Sequence, residues 1–586
     1  MRELDGYRAV MRRIADAAEK RKSDGHVQDE ENDLQSTRVT DNSSLNACTE
    51  ENSRINRYAV YDNRQDACAT DTSCMATCVA NDSCSNIQCR RMYAHIREAE
   101  AEAEKTVRVE ATVEGGVTRS MSFSEKTELY VRATGERTGL VYTEKLDADP
   151  RETVLQAYEN GQLGETAEEM NTSDCRGALG TPCREYSAAE LNAFAASLER
   201  ELTKGCPRAD RAEVRASQLI SRIGVVNSRG ADISGQAGRF DVTVRIPLKD
   251  DPMKSYEETV TGQRLEEIRA PYFLAQHREW EQTVLPETAA FEPGTYRTVL
   301  GSQAVNFILT TAWQLFSGKR VADGTSPLSG RLGQKVFADG ITIRDYKENG
   351  YPFVIDAEGT LCRDVTLVEN GVFVGCMQNL ASAKLFRELR AGGAIQTEGD
   401  RTANDGAGDH RRTEDNVGQS DKIGAVSPGV IKGEAAGGAA DCAATVDLMI
   451  HCTSTGNAGR RALLSGNIHT DMTIVPKNFV LEEGDQTLEE LIRACGDGIY
   501  ICESYDQFHS LNVVTGDFHF PCRGVRIRDG RLAECLYGLT MNGNVLTLFA
   551  DVLALGKGRR IEPMAIYENY LVSGPAMLVR KLEISG

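Results

Sequence analysis

Residues 296–316 read YRTVLGSQAVNFILTTAWQLF, and the organisation of the chain turns on them. The run 296–301 is short, apolar and β-branched, the pattern of a buried strand. Ser302–Phe316 then carries Phe307, Ile308, Leu309, Ala312, Trp313, Leu315 and Phe316. At 3.6 residues per turn these cover nearly the whole circumference, so the segment reads as a helix buried in a core. Its polar positions include two threonines, Thr310 and Thr311. The helix is therefore either plain core or an active-site helix that has lost its chemistry.

Before this point the pattern is strands and helices in two similar rounds. Segments 106–113, 117–126, 128–135 and 138–145 alternate with period two, parted by Gly-Gly, Ser-Glu and Gly-Glu turns. They predict an antiparallel meander. REAEAEAEK, 97–105, reads as the tail of a helix because Glu and Ala favour that state. Residues 149–161 predict a helix with Asp149 as N-cap and Pro150 first. Ser187–Leu202 predicts another, opened by the capping box Ser187-x-x-Glu190. Alternation returns at 214–230 and 239–248, and 265–285 is helical on both sides of Pro271, which breaks it.

After this point hairpins dominate. Asn370-Gly371 and Asp529-Gly530 are type I′ turn dipeptides between alternating apolar residues. Residues 487–498 predict a capped helix ending at glycine, 542–556 a helix capped by Asn544, and 576–584 a closing strand. The fold class expected is α+β. An N-terminal mixed α/β domain, 1–290, holds the antiparallel meander and helices. A C-terminal domain, 291–586, is mostly antiparallel β-sheet with a few helices. Two insertions interrupt them: a polar, Cys-rich one at 23–91 and a Gly-rich flexible one at 392–447.

At 586 residues the chain exceeds the size of a single core. With 67 basic and 87 acidic residues the net charge is −20, which repels phosphate backbones. The basic runs at 90–92 and 557–560 are too short to reverse that, so no nucleic-acid partner is expected. The first 22 residues form a charged amphipathic helix rather than a signal peptide, and no apolar run reaches membrane-spanning length. The expected location is the cytoplasm, with the 17 cysteines as thiols.

Six of those cysteines, at 48, 68, 74, 78, 84 and 89, lie in the first insertion. Cys74-x3-Cys78 and Cys84-x4-Cys89 have zinc-ligand spacing, yet the chain contains no CxxC. A zinc clip and a polar insert with free thiols both remain open. His519 and Cys522, with His451, Cys452, His469, Cys502 and His509, are scattered groups with a structural reading and a metal-site reading. No Gly-x-Ser-x-Gly, GxGxxG or Walker sequence occurs, so neither a nucleophile elbow nor a nucleotide cofactor is indicated.

The block 301–345 resembles the central block of the TldD/PmbA family, paired bacterial proteins also called modulators of DNA gyrase. Further blocks follow in the family's order. They are Asp356-x-Glu358-Gly359, the Thr455-Gly456-Asn457 turn, TGDF at 515–518 and the GN at 543–544. The catalytic branch carries HExxxH on the helix in question. Two imidazoles there hold a zinc ion and the glutamate serves as general base. Positions i and i+5 lie about 140° apart on an ideal helix, so such a pair converges only where the helix distorts or ends. The resemblance sets Thr310 at the first His, Thr311 at the Glu, Leu315 at the second His, and Ser573 near the branch's C-terminal cysteine ligand. No histidine in the chain precedes a glutamate.

That is the pattern of the PmbA, or TldE, branch, a pseudoenzyme relative. The resemblance implies a non-metal-binding subunit, without cofactor and inactive alone. It would pair with a TldD-like metalloprotease to form a chamber for proteolysis of unfolded peptides. The alternative is a stand-alone homodimeric binding or scaffold protein, and a weaker one an enzyme with new metal chemistry at the cysteine insert. The loop Ser326–Arg331 either frames a substrate groove or simply connects elements.

Overall fold

The structure, a computed structural model, describes residues 2–23, 95–163, 170–172, 176–180, 183–209, 211–346, 354–391, 452–460, 472–506, 510–564 and 570–586. Both expected insertions, and with them Cys74, Cys78, Cys84 and Cys89, lie outside the described residues, as do His451, His469 and His509.

The chain opens with helix α1 (Asp5–Ser23). Three strands follow: β1 (Glu98–Glu114), β2 (Val117–Thr134) and β3 (Thr138–Thr143). Then come α2 (Pro150–Asn160), β4 (Arg176–Leu179), α3 (Ala188–Gly205), β5 (Glu213–Asn227), β6 (Asp232–Pro247), β7 (Ser255–Gly262) and α4 (Ala270–Val284). Both rounds of strands join one seven-stranded sheet, ordered β3-β2-β1-β5-β6-β4, with β7 also on β6. Asp149 caps α2 and Ser187–Glu190 forms the capping box of α3. Pro271 sits in the first turn of α4, where its missing N–H costs nothing.

One sequence expectation fails here in an informative way. EAEAEAEK is strand, not helix: Glu98–Glu114 pairs with β2 on one side and β5 on the other. Helix propensity is a weak prior, and the period-two alternation overrides it. Ala99, Ala101 and Ala103 pack into the core under α1 and α2. Glu100 and Glu102 point to the opposite face, where each meets an arginine. Arg132 Nη2 donates to Glu100 at 2.5 Å, and Arg460 Nε donates to Glu102 at 2.7 Å. The turn expected at Ser124-Glu125 is also absent, because β2 runs straight through it.

The second half begins with β8 (Gly294–Leu300) and α5 (Ser302–Ala312), which tightens into a 3-10 turn at Trp313–Phe316. After α6 (Gly318–Ala322) come β9 (Ile343–Asp345), β10 (Val365–Glu369), β11 (Val372–Phe373) and α7 (Leu380–Ala391). Next are β12 (Ala458–Gly459), β13 (Thr473–Ile474), β14 (Asn478–Leu481), α8 (Leu488–Cys495), β15 (Gly498–Ser504), β16 (Asp517–Arg528) and β17 (Arg531–Asn544). The chain ends with α9 (Val545–Ala550), β18 (Val552–Leu555), β19 (Arg560–Pro563), β20 (Leu571–Gly574) and β21 (Met577–Ser585). The helix expected over 542–556 thus stops at Ala550, and VLAL forms a strand on β21. Its β-branched and aliphatic side chains pair there rather than extend a helix.

Two six-stranded sheets result, β11-β10-β9-β14-β20-β19 and β17-β16-β15-β8-β21-β18. In the latter β17 also pairs with β21, so β8, β15, β16, β17 and β21 close into a ring without a free edge. Asn370-Gly371 and Asp529-Gly530 all have positive φ, as type I′ turns require. The largest core cluster fills the space between these sheets, with α5 in its middle. No helix among the described residues is long and apolar enough to cross a membrane.

Candidate functional site

Helix α5 is held on all sides. It packs against β20, β15, β8 and β19. Gly301, its N-cap, permits the entry: a Cβ there would stand 2.9 Å from the Tyr500 hydroxyl. Ala304, Val305, Ile308, Leu309 and Ala312 are buried in the core cluster. Thr310 and Thr311 are buried as well, and their hydroxyls turn back on their own helix. Thr310 Oγ1 donates to the Asn306 carbonyl at 2.8 Å, and Thr311 Oγ1 to the Ile308 carbonyl at 3.1 Å. Such back-bonding is how buried threonines satisfy themselves in helices. Leu315 lies fully buried in the 3-10 turn. The α-helix therefore ends between Thr310 and Leu315, the departure from ideal geometry that an i, i+5 pair requires.

Strand β20 runs beside the helix, and its alternation decides which side chain faces α5. It is Gly574. A Cβ on Gly574 would lie 2.9 Å from Val305, 3.0 Å from Leu309 and 3.2 Å from Asn306 Oδ1. Ser573 falls on the other face with Leu571 and Ile561, the side that meets Ala237 of β6. Its buried hydroxyl has no hydrogen-bond partner among the described residues.

One turn before Thr310, a polar cluster around Asn306 joins the two halves of the chain. Asn306 Nδ2 donates to the Arg560 carbonyl at 2.8 Å and to Glu562 at 2.9 Å. Arg560 pairs with Glu562 at 2.5 Å and approaches Glu258 of β7 at 3.8 Å. Glu258 accepts from the hydroxyls of Tyr272, at 2.6 Å, and Tyr256. Burial first, and then the Glu258 carboxylate, raises both phenols, which keeps them as donors. Sequence reasoning missed this cluster, whose members come from four elements with no shared spacing.

The family blocks form a second network. Asp345 accepts from Asn457 Nδ2 at 2.6 Å and from the backbone N–H groups of Lys477 and Asn478 at 2.7 and 2.8 Å. Asp356 accepts from the N–H groups of Glu358, Thr360 and Ala458 at 3.0, 2.8 and 2.9 Å. Glu358 accepts the Leu380 N–H at the start of α7, 2.9 Å away. Gly456 has φ +79°, and a Cβ there would stand 2.5 Å from the Cys362 backbone. Burial raises the pKa of both Asp356 and Glu358, and the Asp356 charge adds to the rise on Glu358. These bonds tie β9, β12, β14 and the start of α7 together.

The remaining groups do not converge. His519 is exposed on β16 and bonds Asn542 at 2.8 Å, whereas Cys522 is buried in the core. Ser326 donates to the Leu315 carbonyl at 2.6 Å, so the loop Ser326–Arg331 is tied to the end of the helix. Among the described residues no three His, Cys, Asp or Glu side chains gather as metal ligands would.

Residues 293–586 match the family model described as the PmbA/TldA metallopeptidase C-terminal domain. The match spans half of the sequence, and the chain belongs to the PmbA/TldD family. TldE of Thermococcus kodakarensis is 18% identical in sequence, with TM-score 0.60, covering 85% of this chain and 99% of that one. A candidate modulator of a DNA gyrase from Thermotoga maritima is 17% identical, TM-score 0.59, covering 83% and 96%. At these identities the likeness establishes fold. A metalloprotease of Archaeoglobus fulgidus is 31% identical over 104 residues, 17% of this chain and 23% of that protein.

The metallopeptidase description of the family implies a metal. Two threonine hydroxyls bonded to their own helix, an alkyl group and a glycine face do not fit a zinc ion, which takes imidazole, thiolate or carboxylate.

Proposed function

We propose that this chain is a non-metal-binding, PmbA/TldE-like subunit that pairs with a TldD-like metalloprotease. It completes a chamber for proteolysis of unfolded peptides and is catalytically inactive alone. The observation that supports this is the state of α5: at the positions that the family resemblance assigns to ligands and base, Thr310 and Thr311 spend their hydroxyls on helix carbonyls and Leu315 is core. The chain then contributes walls and recognition while its partner hydrolyses the peptide. The test mixes the purified chain with an HExxxH-bearing relative. The two should co-elute, and an unfolded peptide should be cleaved only by preparations that contain the relative. Metal-dependent cleavage by the isolated chain would overturn the proposal.

A second reading, a homodimeric binding or scaffold protein without protease activity, is favoured by one observation. The outer edge of β2 carries exposed Met121 and Phe123. Failure to co-elute with any HExxxH-bearing relative would support it.

A further inference from the structure

Strand β3 covers β2 only from Leu129 to Thr134. From Val117 to Glu128 the outer edge of β2 pairs with no strand among the described residues. An uncovered edge offers a row of backbone donors and acceptors to another strand. This edge also exposes Met121 and Phe123, 55% and 65% accessible. They stand opposite Ala111 and Val109 of β1, whose side chains pack under α3, so both lie on the helix-bearing face. Beside Phe123 a cavity of about 270 Å³ is floored by Val107, Val109 and Ile220 and walled by Tyr186.

The edge is complementary to itself. Consider two copies of β2 set antiparallel across a two-fold axis at Ser122. Met121 then faces the second copy's Phe123, and Ser120 faces its Ser124. Thr112 pairs with Ser120 and Val113 with Thr118, which leaves Arg119 as the extra residue of a bulge near the end of this stretch. In the same register Arg119 comes beside the second copy's Glu125. Both are substantially exposed. Their pairings within the chain, to Glu114 at 3.0 Å and Lys105 at 2.6 Å, are surface contacts of little weight. Opposite charges and apolar pairs thus coincide in one symmetric register, as an isologous interface requires. A foreign strand could use the backbone edge but has no reason to match this pattern.

We propose that two copies of this chain join edge to edge through β2, antiparallel with Ser122 on the axis. The two seven-stranded sheets become one, with both α3 helices on the same face. Met121 and Phe123 of each copy form an apolar strip between those helices. The contact deepens the homodimeric reading given above, and because it involves only copies of this chain it is tested without any metal-bearing relative.

Sedimentation of the full chain over a concentration series tests it. A reversible dimer is expected. Phe123→Lys should weaken it by at least about tenfold. Arg119→Glu and Glu125→Arg should each weaken it, and the double variant should restore it. Ser122→Cys should give a disulfide-linked dimer above the wild-type background. Lys126→Cys should not, because the two copies of residue 126 would lie about 27 Å apart along the strands. All five positions are solvent-facing, and circular dichroism confirms that each variant folds. A chain that stays monomeric throughout overturns the proposal. So does a dimer indifferent to Phe123→Lys and the charge swaps.

Discussion

Helix α5 and the network around Asp345 lie in the same half of the molecule, and both coincide with family blocks. They differ in what the polar groups do. Asp345, Asp356 and Asn457 bind backbone and side chains far away in sequence, so each removal strands several buried partners. Thr310 and Thr311 bind only carbonyls three or four residues back. The first pattern builds the fold, whereas the second satisfies a hydroxyl where nothing else is asked of it. Buried polar residues within such blocks can therefore serve architecture, while those of a neighbouring helix serve only their own hydrogen bonds.

The comparison can be broken by mutation. Asp345→Ala should have the largest effect, a loss of about 4 kcal/mol in a denaturant titration, since it leaves one N–H of the Asn457 amide and two backbone N–H groups buried without acceptors. Arg460→Ala should cost about 3–5 kcal/mol near pH 8, because it leaves the buried Glu102 carboxylate without its cation. Thr310→Val and Thr311→Val should cost about 1 kcal/mol or less each. If either threonine variant proved as damaging as Asp345→Ala, the contrast would fail.

Acidity sharpens the same contrast. Burial pushes the Glu102 carboxyl up to about 7 from 4.5, against the pull of Arg460. A raised folded-state pKa means the folded protein binds the extra proton. The contribution from Glu102 is fullest below about pH 4.5 and is lost as the pH rises through about 7. The span is on the order of 3 kcal/mol. Glu102→Gln should flatten the stability profile between pH 5 and 8. The destabilisation by Arg460→Ala should shrink at pH 5.5, where Glu102 is protonated. An unchanged slope in Glu102→Gln would place the titrating group elsewhere.

Much of the architecture was legible because it is local. Asp149, the Ser187–Glu190 box, the two type I′ dipeptides and the buried run at 302–316 each state their own geometry. EAEAEAEK was not, since its Glu and Ala favour helix and the partners that donate to its buried carboxylates, Arg132 and Arg460, lie far off, the latter more than 350 residues away. The helix itself was legible from its apolar run and its place among the ordered blocks. That Gly574 rather than Ser573 faces α5 was not, because alternation along β20 needs the register with β14 and β19. The Glu258–Arg560–Asn306 cluster left no mark in the sequence, as it forms only when β7 and β19 meet.

On the function proposed above, α5 carries no metal chemistry. The most direct test is elemental analysis of the purified chain after incubation with zinc and dialysis, alongside a peptide-cleavage assay. No zinc requiring Thr310, Thr311 or Ser573 should be retained, and no peptide should be cut until an HExxxH-bearing relative is added. Stoichiometric zinc lost on Thr310→Val or Ser573→Ala, together with cleavage by the chain alone, would contradict it.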